Sequence, residues 1–82
     1  MAQVTVRFFA RYAELTGCET ASVAIAAAET VGDVVNRIRA TIPGAHDLPT
    51  RPLAALNQRQ VKLDAEVRDG DEVALLPPLS GG

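Results

Sequence analysis

The closing residues of this 82-residue sequence, Leu76-Pro77-Pro78-Leu79-Ser80-Gly81-Gly82, hold its clearest opportunity for chemistry. Glycine has no Cβ, so a Gly81-Gly82 end fits a narrow channel and takes backbone angles closed to other residues. The α-carboxyl of Gly82 is ionised at neutral pH, its reference pKa being roughly 3.5. A carboxylate is a poor electrophile. Converted to an acyl-adenylate, it accepts a sulfur nucleophile and becomes a terminal thiocarboxylate. Glycine makes up about 7% of residues, so a terminal pair arises by chance in roughly one chain in 200. Pro77 and Pro78 stiffen the exit toward polyproline geometry. Fully extended, residues 77–82 reach roughly 20 Å. The plain alternative is a frayed terminus that tolerates glycine and does nothing.

Other reactive residue types are sparse. Cys18 is the only cysteine, so no internal disulfide forms. Persulfide chemistry is conceivable there, but no Lys, Arg or His adjoins it to activate the thiol. A small buried or half-buried hydrophobe is the simpler reading. His46 is the only histidine and stands in a proline-flanked loop with no co-ligand spacing, so no metal site is expected. Asp69, Asp71 and Glu72 cluster, yet acid–base catalysis also needs a pocket and a tuned pKa; a solvated turn is expected. Lys62 is the only lysine among eight basic residues, and thus the only side-chain amine that could be acylated.

Composition narrows the partners. A net charge of −2 argues against binding nucleic acid, which needs a basic face. The longest apolar run, Val23–Ala28, is far short of the ~20 residues that cross a bilayer, so no membrane span is expected. Met1–Arg7 lacks the basic-then-apolar pattern of a secretory leader, and a lone cysteine suits a reducing compartment. A cytoplasmic location is the expectation.

The elements that must position the terminus follow from periodicity. Val4, Val6 and Phe8 alternate with Thr5, Arg7 and Phe9, and Ala21, Val23 and Ile25 repeat the pattern over 19–25; both read as strands. About nine residues join them, including a helical turn over Ala10–Leu15, so they pair antiparallel. Thr30 caps a helix, Asp33 completes a shortened capping box, and Val31, Val34, Val35, Ile38 and Ile42 share one face. Pro43-Gly44 ends it, and 45–52 reads as loop. Short strands are expected at 53–56 and 60–63 with a turn at Asn57-Gln58-Arg59, and a last strand at 72–76 follows the Asp69-Gly70 turn. This order predicts an α+β domain over 1–76, a mixed sheet covered on one face by one main helix in the ubiquitin-like β-grasp manner, with a flexible Gly-Gly tail over 77–82. If Val73 and Leu75 face the helix, Ala74 and Leu76 face away, as does Phe9. Such an outward apolar cluster marks a partner-binding surface; the plain alternative is that the 10–15 segment covers Phe9 or that the register slips by one.

Three segments carry a resemblance. They are Phe8-Phe9-Ala10-Arg11-Tyr12-Ala13-Glu14-Leu15, Ala55-Leu56-Asn57-Gln58, and Asp69-Gly70-Asp71-Glu72-Val73-Ala74-Leu75-Leu76 running on through Pro77-Pro78-Leu79-Ser80-Gly81-Gly82. Along its whole length the chain resembles the MoaD-type small, sulfur-carrier subunits of molybdopterin synthase, within the MoaD/ThiS ubiquitin-like family. The resemblance implies a non-catalytic carrier whose active site is on the large subunit. A MoeB-type enzyme, using ATP, would adenylate Gly82, and a sulfurtransferase would install sulfur there. The thiocarboxylate would enter a MoaE-type large subunit and give sulfur to cyclic pyranopterin monophosphate, with Pro78, Leu79, Ser80 and Gly81 threading the channel. No cofactor would be bound by the carrier itself. Phe9, Ala74 and Leu76 would dock both partners, though the family often carries an aromatic where Leu76 stands. Three other readings stay open: a β-grasp carrier for thiamine, cysteine or tRNA thiolation, a ubiquitin-like modifier joined to lysines through Gly82, and a plain interaction module whose tail does no chemistry.

Overall fold

Val4, Val6 and Phe8 are buried while Thr5 and Arg7 between them are exposed, which gives strand β1 (Ala2–Phe8) one face for the core and one for solvent. The computed structural model describes residues 2–77; the tail residues Pro78, Leu79, Ser80, Gly81 and Gly82 lie outside the described residues. A short helix α1 (Arg11–Thr16) leads to β2 (Thr20–Ile25), which pairs antiparallel with β1 and sets Val23 opposite Val4. Helix α2 (Val31–Thr41) crosses to β3 (Leu53–Leu56), β4 (Arg59–Val61) and β5 (Glu72–Leu76). The five-stranded sheet runs β2-β1-β5-β3-β4. β5 lies parallel to β1 and antiparallel to β3, so the strand that leads into the tail is the central one.

The cap of α2 forms as its sequence dictates. Thr30 Oγ1 accepts the Asp33 amide at 3.2 Å, and Asp33 Oδ2 accepts the Thr30 amide at 2.9 Å. The i, i+3, i+4, i+7 stripe buries Val31, Val34, Val35 and Ile38 completely against the sheet. Each contributes about 1.5–3 kcal/mol of apolar burial before the entropy of ordering is counted. Val73 and Leu75 of β5 complete that contact from the sheet side.

Two segments depart from the sequence reading. Residues 45–52 hold more than loop: a 3-10 turn at Ala45–Asp47 drives Ala45 and Leu48 into the core. Arg39 pins this turn, its Nε donating to the Leu48 carbonyl at 2.8 Å. The turn depends on Gly44, whose φ is +84°; a Cβ there would stand 2.0 Å from the Leu15 carbonyl oxygen. Second, the turn between β3 and β4 holds only Asn57 and Gln58, both with positive φ, and Arg59 already pairs with Leu56. That two-residue geometry is the tight hairpin whose twist matches the strands. β4 therefore ends at Val61, and the chain turns to bond the start of α2 through Leu63 and Ala65 carbonyls.

Candidate functional site

The tail base is built from the middle of the sheet outward. Ala74 on β5 lies beside Arg7 of β1 and Ala55 of β3, and Leu76 lies opposite Leu53. Because Val73 and Leu75 point into the core, Ala74 and Leu76 face away from α2, where both are half-buried. Phe9, one residue beyond β1, stays 37% exposed, and Leu53 is 41% exposed. Those two are the large exposed apolar side chains among the described residues. Ala55 is nearly covered, yet it stands outside the core cluster because it is on this outward face. The face thus brings together the expected Phe9, Ala74 and Leu76 and adds Leu53 and Ala55. Leu53-Ala54-Ala55-Leu56 is apolar throughout, so its composition does not say which residues face outward. That is set by its register against β5, which the local sequence does not report.

Phe9 is held from both sides. The Arg7 guanidinium carbon sits 5.3 Å from the centre of the Phe9 ring, within cation–π range. Arg7 also approaches Glu72 at 3.8 Å. After Phe9 the backbone bends sharply: Ala10 has φ 49° and ψ −122°, and the Phe9 carbonyl accepts the Tyr12 amide at 3.0 Å. Those angles belong to the first central position of a type II′ turn, where glycine is the usual occupant. The bend lets Tyr12 plug the core, so Phe9 cannot follow it inward.

The start of β5 is anchored by the acidic turn. Asn57 Nδ2 donates to Asp71 Oδ1 at 3.0 Å, and Asn57 Oδ1 accepts the Glu72 amide at 2.9 Å. Asp71 Oδ2 accepts the Arg68 amide, and Asp69 Oδ1 accepts the Gln3 amide, both at 2.8 Å. Asp69 is exposed and Asp71 half-buried, and their hydrogen bonds tie this turn to β1 through Gln3 and to the β3–β4 turn through Asn57. Their work is structural.

The remaining candidates stay apart from this face. Cys18 is half-buried against the core, its Sγ 3.6 Å from Thr16 Oγ1. His46 Nε2 meets Asp47 Oδ1 at 3.5 Å on an exposed turn. Among the described residues no group of three or more His, Cys, Asp or Glu side chains could hold a metal ion. Among the described residues, no helix is long and apolar enough to cross a membrane.

A mixed five-stranded sheet with parallel β1 and β5 at its centre and one long helix across it is a ubiquitin-like β-grasp fold. The chain belongs to the ThiS family, whose model matches residues 6–82. It is 35% identical over 82 residues to the molybdopterin synthase sulfur carrier subunit of Chlamydomonas reinhardtii, covering 98% of this chain and 99% of that one. Among solved structures it is similar to SAMP1 from Haloferax volcanii, with TM-score 0.85, 28% identity, and coverage of 99% and 100%. It is also similar to a chain in the complex of subunits 1 and 2 of molybdopterin-converting factor from Helicobacter pylori 26695. That likeness has TM-score 0.68, 26% identity, and coverage of 98% and 99%.

Proposed function

We propose that this chain is a sulfur carrier for molybdopterin synthesis, with the Gly82 carboxyl as its reactive group. The Gly82 carboxylate attacks the α-phosphate of ATP on a MoeB-type partner, releasing pyrophosphate. A sulfur nucleophile supplied by a sulfurtransferase then displaces AMP and leaves a thiocarboxylate. A MoaE-type large subunit receives the tail, with Gly81, Ser80, Leu79 and Pro78 in its channel. There the sulfur passes to cyclic pyranopterin monophosphate, one sulfur for each carrier. The carrier holds no cofactor and supplies no catalytic acid or base; ATP is consumed on the activating partner in the cytoplasm.

The observation that carries this reading is the position of the outward apolar row. Phe9, Leu53, Ala74 and Leu76 surround the end of β5, the strand from which the tail departs. A partner seated on that row takes the terminus into its own active site. The solved relative in complex with a second subunit supports a large-subunit partner. Whole-protein mass measurement from the native host tests the reading: oxygen replaced by sulfur in the free chain supports it, and its absence during active cofactor synthesis refutes it.

A second reading, a ubiquitin-like modifier joined to protein lysines through Gly82, is favoured by the likeness to SAMP1. Covalent adducts of this chain on other proteins, in place of the sulfur-bearing free chain, would support it. A carrier for thiamine, cysteine or tRNA thiolation shares the sulfur chemistry; pull-down with a thiazole-synthase-type partner instead of a MoaE-type one would identify it.

A further inference from the structure

An open groove of about 770 Å³ runs along β3 and β4, with Arg51, Pro52, Leu53, Gln60, Lys62 and Asp64 among its walls. Leu53 belongs to this groove and also to the outward apolar row, where it faces Leu76, so the two surfaces are continuous. Arg51 and Lys62 are exposed, and among the described residues neither forms an ion pair, whereas Arg7, Arg37 and Arg68 do. With two cations against one Asp64, the walls are net positive in a chain whose net charge is −2. The walls are also partly apolar, which suits a polypeptide better than a free phosphate.

We propose that this groove receives an acidic segment of the same protein partner that covers Phe9 and Leu76. An apolar side chain of that segment rests on Leu53, and its carboxylates face Arg51 and Lys62. The proposal rests on the docking face described above and extends it across β3 to β4. Charges at such a rim act chiefly on encounter rate and salt dependence, while the buried apolar contacts hold the complex.

The test is calorimetric binding of the full chain to a MoaE-type large subunit from the same organism, at low salt and near 1 M salt. Four variants are compared with the parent: Arg51→Glu/Lys62→Glu, Arg51→Gln/Lys62→Gln, Phe9→Asp, and Asp64→Asn. The charge reversal should weaken binding about five- to tenfold at low salt, and the neutral pair by less. Asp64→Asn should strengthen it slightly. These differences should shrink at 1 M salt, where the screening length falls to about 3 Å. Parental affinity in the reversed variant, or a loss insensitive to salt, overturns the groove proposal. So does parental binding accompanied by an altered oligomeric state of the free chain, which would assign the groove to a second copy. Loss of binding in Phe9→Asp with unaffected charge variants rejects the groove alone. Parental binding by Phe9→Asp, or no binding by the parent, rejects the docking face itself.

Discussion

Leu76, the last residue of β5, lies directly opposite Leu53, the first residue of β3, on the sheet face turned away from α2. This pairing places an apolar contact at the point where the tail leaves the domain. Under the proposed function, a partner seated on this row grips the domain beside the central strand from which the tail departs.

Leu53→Asp should therefore weaken large-subunit binding roughly 10- to 100-fold, the range of a hot-spot loss of about 1.4–3 kcal/mol. Leu53 is 41% exposed, so the substitution should leave thermal unfolding nearly unchanged. Calorimetric titration together with a melting curve checks both halves.

Gly44→Ala and Gly70→Ala should differ although both residues have positive φ. At Gly70 (φ +85°) nothing lies within 4 Å of an added Cβ, so only the left-handed backbone cost of about 1–2 kcal/mol applies. At Gly44 the added Cβ meets the Leu15 carbonyl oxygen, and the 3-10 turn that buries Ala45 and Leu48 must shift. We expect a loss of about 3 kcal/mol or more, read from denaturant midpoints.

Asn57→Gly keeps the positive φ that the hairpin needs and removes the side chain that bonds Asp71 and the Glu72 amide. A loss of about 1 kcal/mol is expected. Hydrogen exchange should quicken at the Glu72 amide, with little change at Val23 on the far strand.

Acid should act through Glu29. Its carboxyl is held below the ordinary carboxylate value by the hydrogen bond from Arg37 and, secondarily, by the Ala26 amide. A lowered folded-state pKa means that this stabilisation is fully present above the unfolded value near 4.5 and fades as pH falls through the folded one. Glu29→Gln should be less stable than the parent at neutral pH. In urea unfolding series the gap should narrow as pH falls below the unfolded value and through the lowered folded one. A gap independent of pH would contradict the pairing.

How much of this was legible follows from which residues carried local signals. β1, β2 and α2 were readable because period-2 and period-3.6 patterns report burial directly, and Thr30 with Asp33 marks the cap. Phe9, Ala74 and Leu76 were readable for the same reason, since their neighbours Phe8, Val73 and Leu75 declare the inward face. Leu53 and Ala55 escaped because membership of the face depends on pairing with β5, a contact that spans some twenty residues of chain. The roles of Gly44 and Asn57 are likewise long-range: one avoids Leu15, the other ties Asp71 to Glu72, and neither partner is implied by local spacing.

Sulfur on the terminus is the central claim, and mass spectrometry tests it most directly. The chain is incubated with the activating enzyme, ATP and a sulfur donor, then measured intact and as peptides. Replacement of one oxygen by sulfur on the peptide ending in Gly82, lost on deleting Gly82 and kept in Cys18→Ala, is the predicted result. Sulfur carried on Cys18, or none at the terminus while cofactor synthesis proceeds, would contradict the account.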